Sequence, residues 1–291
     1  MVDKIVDYWI TPLKNIFISN TINGEKMNDR IIDRSANEMP TTSEKNYKYE
    51  FTGETKTVVI NGETHTLYRI RAIKNIVDDS GNIIAKKGDL GGFIEKEDNL
   101  DYHSNAWVSD NAKVFGDAKI SGNAQVGDNA LVYGSAQVFG NAHVYGDAQV
   151  FGNAQIFGNA KIYGNTLIYG SAQVFGNAQV YGNAWVYNNA LVYDNAQVFG
   201  SATVFGNAQI FGDAKVFGGA RVHGNAQVHG NAQVSGASRV YGNAQVHGNA
   251  QVSGASRIHG NAQVYDVQIC NADITEDPVS KEKDVKEAKR H

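Results

Sequence analysis

Two sets of residues in this sequence could do chemistry, and each is defined by its spacing. Arg221, Arg239 and Arg257 recur every 18 residues, and His223 and His259 stand two places after the first and last of them. A column of guanidinium groups could hold phosphate, sulfate or carboxylate through charge-assisted hydrogen bonds. Stacked at about 5 Å, each adjacent pair would repel by about 0.8 kcal/mol even in water, which a bound anion would relieve. The alternative is three splayed, solvated side chains. His229 and His247 lie in the same stretch, but two imidazoles do not complete a metal site. His143 stands apart from them, either a surface histidine or a candidate base. Residues 105–265 contain no Glu and six Asp against seven Lys and Arg, so a paired-carboxylate acid-base site is hard to build there.

The second set is aromatic. Phe115, Tyr133, Phe151, Tyr169, Tyr187, Phe205, His223, Tyr241 and His259 also fall 18 apart. Such a column would either be a self-stacked ladder in which each ring covers the next, or an exposed strip that takes a sugar or another rod, because large apolar patches usually have partners.

These residues are positioned by a repeat. From Asn105 to Val264 the chain keeps a six-residue unit of the form N-A-Q-V-F-G without insertion or deletion. Every sixth residue from Val108 is β-branched, 21 Val and six Ile, and the residue two before it is Ala 24 times, with Thr166, Ser238 and Ser256 as the exceptions. Residues two apart share one side of a strand, so the small and β-branched residues point inward while the residue between them points outward. Each unit is therefore a very short strand followed by a corner. Gly fills most corners, and Asp110, Asp128, Asn188, Asp194 and Asp266 replace it, all of them residue types that tolerate left-handed backbone angles.

Strands this short need a copy above and below, which requires a coil. GNAQVHGNAQVSGASRVY, residues 224–241, is followed at once by GNAQVHGNAQVSGASRIH, residues 242–259, so the coil is 18 residues and three-sided. The expected fold is all-β: a three-sided parallel β-helix of about nine regular coils, about 43 Å long at the strand spacing. Buried Val and Ile, at about 1.5 to 3 kcal/mol each, supply its driving force.

The flanks are less regular. Residues 1–45 form an arm holding the apolar clusters Ile5-Val6-Tyr8-Trp9-Ile10 and Ile16-Phe17-Ile18. Residues 46–104 form a cap: TKTVVI, the turn Asn61-Gly62 and ETHTLYRIRAI read as a hairpin, with a second turn at Asp79-Ser80-Gly81. An irregular first coil is expected from about residue 88, with Leu90, Ile94, Leu100 and Tyr102 near the interior phase. Residues 266–291 are a C-terminal cap and a charged tail. The single cysteine, Cys270, excludes an intrachain disulfide, and the small net charge of -4 argues neither for nucleic acid, an unexpected partner here, nor for an acidic partner. With no signal-peptide pattern at the start and no apolar run of membrane-spanning length, the expected location is the cytoplasm or a phage particle, without membrane insertion.

The spacing of an aliphatic residue and a small one four later resembles the hexapeptide-repeat, left-handed parallel β-helix proteins. Residues 67–100, LYRIRAIKNIVDDSGNIIAKKGDLGGFIEKEDNL, look like the start of bacterial and phage hexapeptide proteins of the YdcK type, some of which are described as polymer-forming. The resemblance implies left-handed winding, whereas the ordinary crossover rule favours a right-handed coil. It also implies self-association, commonly as a trimer. Acyltransferases of this class would bring a catalytic His, a loop thrown out of a coil and a CoA groove, and no loop interrupts this array. The expectation is a noncatalytic rod, without cofactor or metal, that serves as scaffold, spacer or binding surface for a protein, glycan or anionic ligand. A ligand-binding or sequestering module is the second expectation, and an acyltransferase the third.

Overall fold

The computed structural model describes residues 17–20, 48–275 and 278–279. The remaining residues of the N-terminal arm and most of the charged tail lie outside them. Three parallel sheets run along a rod of ten coils. Face one begins at Lys113–Val114, face two at Lys119–Ile120 and face three at Trp107–Val108. Every strand pairs in register with the one a coil away, as Gln149 with Leu167 and Val150 with Ile168. Strands of two residues persist because each N–H reaches the neighbouring coil, as Gln155 N to Ala172 O at 2.9 Å.

The interior is one continuous core. The expected Val, Ile and Ala columns are all buried, together with Thr166, Ser238 and Ser256. The Ser256 hydroxyl donates to Ser253 O at 2.7 Å, while Thr166 Oγ1 has no partner. The corners turn through left-handed backbone. Gly146, at φ +73°, shows why glycine dominates: a Cβ there would lie 2.7 Å from the backbone N of Gly164 on the next coil. Asp110, Asp128, Asn188, Asp194 and Asp266 occupy the same region at φ 54–59°. Asp128 and Asp194 also accept the next corner's N–H, from Gly146 at 2.9 Å and Gly212 at 3.1 Å.

The N-terminal end is closed by irregular structure. Strand β1 (Phe17–Asn20) pairs with β2 (Tyr49–Ile60), which forms a hairpin with β3 (Glu63–Ala72) through Asn61 and Gly62, both at positive φ. The hairpin is longer than the sequence pattern shows, because a register shift between Phe51 and Thr55 lets β2 start at Tyr49. A small pair, β4 (Ile76–Val77) and β5 (Ile83–Ala85), turns on Asp78, whose Oδ1 accepts the N–H of Ser80 and Asn82. Strand β6 (Leu90–Ile94) joins the hairpin to face one, antiparallel to β3 and parallel to Lys113–Val114. Ile94 and Leu100 enter the core as expected, but Leu90 is exposed. Beside it Gly91 and Gly92 pack closely, since Cβ atoms there would strike Ile70, Trp107 and the backbone of Val108 and Ala112.

Two polar side chains plug this end. Lys48 is buried and donates to Ser104 O at 2.8 Å and Ala106 O at 2.5 Å, and burial pulls its pKa down to about 7. Asn99 donates to Gly116 O and Ala118 O and accepts from the N–H of Glu95 and Lys96, so its whole amide is used. At the other end the strict period stops after Val264, yet the sheets continue for one more coil, with Gln251 over Gln268, Arg257 over Asp273 and Gln263 over Pro278. Val267, Ile269 and Ile274 fill its interior.

Ala178 and Ala208 are fully buried in this core, so Leu at either should destabilise the rod by about 1 to 3 kcal/mol through overpacking. Thr166→Val should raise the urea midpoint, removing a buried hydroxyl without a partner that costs about 1 kcal/mol or more. Unchanged midpoints for both Leu variants would place Ala outside the core. A lowered midpoint for Thr166→Val would show the hydroxyl to be satisfied.

Candidate functional site

The outer faces carry the candidate residues, and their dominant feature is rings lying on rings. On face one the column from Phe115 to His259 is unbroken, with centroids 4.6–5.1 Å apart and planes within 12° of parallel. Face two carries a second column, Phe139 to Tyr265, and face three a third, Tyr163 to Phe217. At this spacing parallel rings are offset-stacked, the geometry aromatic pairs prefer. Ring faces thereby meet neighbouring rings, as in a self-stacked ladder.

Phe115 and Tyr133, expected as surface members of the column, are covered, at 1% and 7% exposure. Val58, Ile60 and Leu67 of the hairpin and Phe93 of β6 pack against Phe115, Leu131 and Tyr133, with Phe151 at the edge. His65 extends the column by one ring, 4.9 Å from Phe115, and its Nδ1 lies 2.8 Å from Glu95, whose other oxygen accepts the Gly116 N–H at 2.7 Å. Lys56 sits over the Phe93 ring at 4.2 Å and donates to Asn111 Oδ1. The open stretch of the column therefore runs from Phe151 through Tyr169, Tyr187, Phe205 and Tyr241.

Arg221, Arg239 and Arg257 are brought together as expected, paired rung to rung on face one and exposed. His223 and His259 are the rings beside them. His223 is stacked between Phe205 and Tyr241, and its pKa is lowered by burial and then by Arg239 and Arg221. Asp273 meets the last rung, with His259 Nε2 2.8 Å from one oxygen and Arg257 3.9 Å from the other. Sequence spacing missed this carboxylate because it lies 16 residues beyond Arg257.

Two further histidines are ladder members. His229 and His247 lie face to face at 5.0 Å on face two, between Phe211 and Tyr265, and His229 is lowered by burial and then by His247. His143 is half-buried on face three between Gln125 and Lys161, edge-on to Tyr145, and lowered by burial and then by Lys161. Tyr145 leaves its column to fold over Gly127, where a Cβ would come within 2.5 Å of the ring, and its hydroxyl donates to Gln125 at 2.7 Å.

A further set of columns was hidden among the turn residues. Asn105, Asn123, Asn141, Asn159, Asn177 and Asn195 form an amide ladder ending on Asp213, each Nδ2 donating to the next oxygen at 2.9–3.0 Å. Asp79 closes its start by accepting from Asn105 and Asn123. A second ladder joins Asn189, Asn207, Asn225, Asn243 and Asn261 at the corner between faces one and two. The signal was the recurrence of one residue type at a spacing of 18.

Stability should fall on both sides of neutrality. His143, His223 and His229 are held below their ordinary value of 6.5, so their contribution is complete above 6.5 and is lost as pH falls through the lowered values, where the unfolded chain binds more protons. Tyr145 and Tyr169 are pushed up to about 12 by burial, so their contribution is present below 10 and lost as pH rises toward 12. Urea midpoints between about pH 7 and 5 should decline, less steeply in His223→Gln and His229→Gln. Identical slopes in wild type and both variants would show those imidazoles to be solvated.

Residues 124–138, 172–188, 178–194 and 208–224 match the YdcK beta solenoid repeat. No curated protein matches the chain. All four matched stretches lie within the uninterrupted parallel coil, with its regular rungs and corners. In these stretches the chain is similar to YdcK-type repeat proteins, and its rod is a parallel β-solenoid.

Proposed function

We propose that the chain is a noncatalytic structural or interaction protein, a rigid rod that holds its ends apart and presents its faces as scaffold, spacer or binding surface. One observation carries this reading: ten coils follow one another with each face filled by side-chain ladders, and no loop leaves the coil between residues 105 and 265. Each rung uses its neighbour's backbone and ring faces, which favours stiffness over motion. His143, the residue an acyltransferase reading would recruit, stands in a regular strand beside Lys161 and Tyr145, with no carboxylate among its contacts to orient or activate it.

Self-association belongs to the same reading, because regular parallel faces repeated coil after coil suit side-by-side packing of copies, and a threefold assembly is the form to test first. The setting proposed is the cytoplasm of the producing cell or a phage particle. Light scattering with small-angle X-ray scattering should give one elongated species whose mass is a small multiple of 31.5 kDa. Incubation with acetyl-CoA and common acceptors should give no transfer. A compact particle would contradict the rod, and turnover abolished by His143→Ala would overturn the noncatalytic reading.

A further inference from the structure

The arginine column ends on a carboxylate that the chain supplies itself. Arg257 and His259 on the ninth coil meet Asp273 on the tenth, so one rung is a filled site made of an arginine, the ring two residues later and an acid one rung away. The two preceding rungs repeat its arginine and ring, Arg239 with Tyr241 and Arg221 with His223. No acid serves them: residues 214–265 contain neither Asp nor Glu, and among the described residues no carboxylate pairs with Arg221 or Arg239. Arg221 and Arg239 are both exposed and pair rung to rung at the strand spacing of about 4.8 Å, so an anion shared between them would turn repulsion into attraction.

The chemistry beside the arginines narrows the ligand. At the edge of the same face Asn225 donates to Asn243 Oδ1 at 3.0 Å and Asn243 to Asn261 Oδ1 at 3.1 Å. Each amide spends one N–H and one lone pair along the ladder and keeps the others for solvent or for hydroxyl groups. The strand backbone is already used, as Arg221 N to Ser238 O and His223 N to Val240 O, so an extended peptide would find no ladder to join. We propose that rungs 221–243 bind an acidic polysaccharide lying along the rod, its carboxylates on Arg221 and Arg239 and its hydroxyls on Asn225 and Asn243. The proposal rests on the reading of the rod as a presenting surface, and it concerns only which polymer that surface takes. The lowered pKa of His223 registers the positive field of the two arginines, after burial.

The test is binding of the full chain to immobilised polygalacturonate, with neutral dextran and polyglutamate as companions, circular dichroism confirming the fold of each variant. Binding to polygalacturonate should weaken with salt, and dextran should be ignored. Arg239→Gln should weaken it about tenfold by removing the central charge-assisted contact, whereas Lys161→Gln on face three should leave it unchanged. Asp273→Asn should strengthen it about threefold by freeing Arg257 and His259 for the polymer. Tighter binding to polyglutamate would reassign the ladder to an acidic polypeptide. Absent binding, equal binding to dextran, or indifference to both Arg239→Gln and Asp273→Asn would overturn the site, while leaving the rod to be judged by its shape.

Discussion

A coil of constant length places every side chain directly over the residue 18 positions away, at the spacing of hydrogen-bonded strands. The rest of the structure depends on that registry. Like residues meet like residues, so each column is rewarded or penalised according to whether its residue type attracts itself. Val and Ile columns pack into a dry core, rings offset-stack, and Asn amides donate and accept in series. A charge column alone repels itself. The chain accordingly interrupts most basic residues with Gln, as at Lys161, Gln179, Gln197 and Lys215, and among the described residues stacks three cations in succession at Arg221, Arg239 and Arg257.

Registry also fixes where the rod must be irregular. An open end would leave strand edges and core unpaired, so the N-terminal end is closed by the hairpin, the buried amine of Lys48 and the amide of Asn99. The hairpin then lies back on face one and hides the first rungs of its aromatic column. Face one consequently changes character along its length: covered at the start, aromatic with Leu167 and Trp185 in the middle, and basic toward the end. A single polarity is thus written onto a rod whose backbone is nearly the same in every coil.

What could be read from sequence follows from the same cause. An interior position that is β-branched in all 27 units allows no other periodicity, and the turn Asn61-Gly62 marks its hairpin by local backbone chemistry. The aromatic and arginine columns followed from counting by 18. Counting failed where the coil shortens: the last coil pairs Arg257 with Asp273, so the sequence showed the charges without their counter-ion. It failed again where contact is long-range, since nothing local tells that Leu67 and Phe93 cover Phe115 and Tyr133. Lys48 was silent as well, because a lysine beside a strand reads as surface until the carbonyls of Ser104 and Ala106 are placed around it.

The central claim, that registry of like over like holds the rod together, is tested most directly by deletion. Removing residues 178–195 takes out one whole coil and returns every column to its own register, whereas removing residues 178–182 leaves the following strands out of phase with the core. Urea unfolding of the two variants beside wild type is the measurement. The one-coil deletion should unfold in a single cooperative transition near the wild-type midpoint, with a slope slightly reduced in proportion to the surface lost, and the shorter deletion should lose cooperativity or fail to fold. Equal midpoints and slopes for the two deletions would contradict the account.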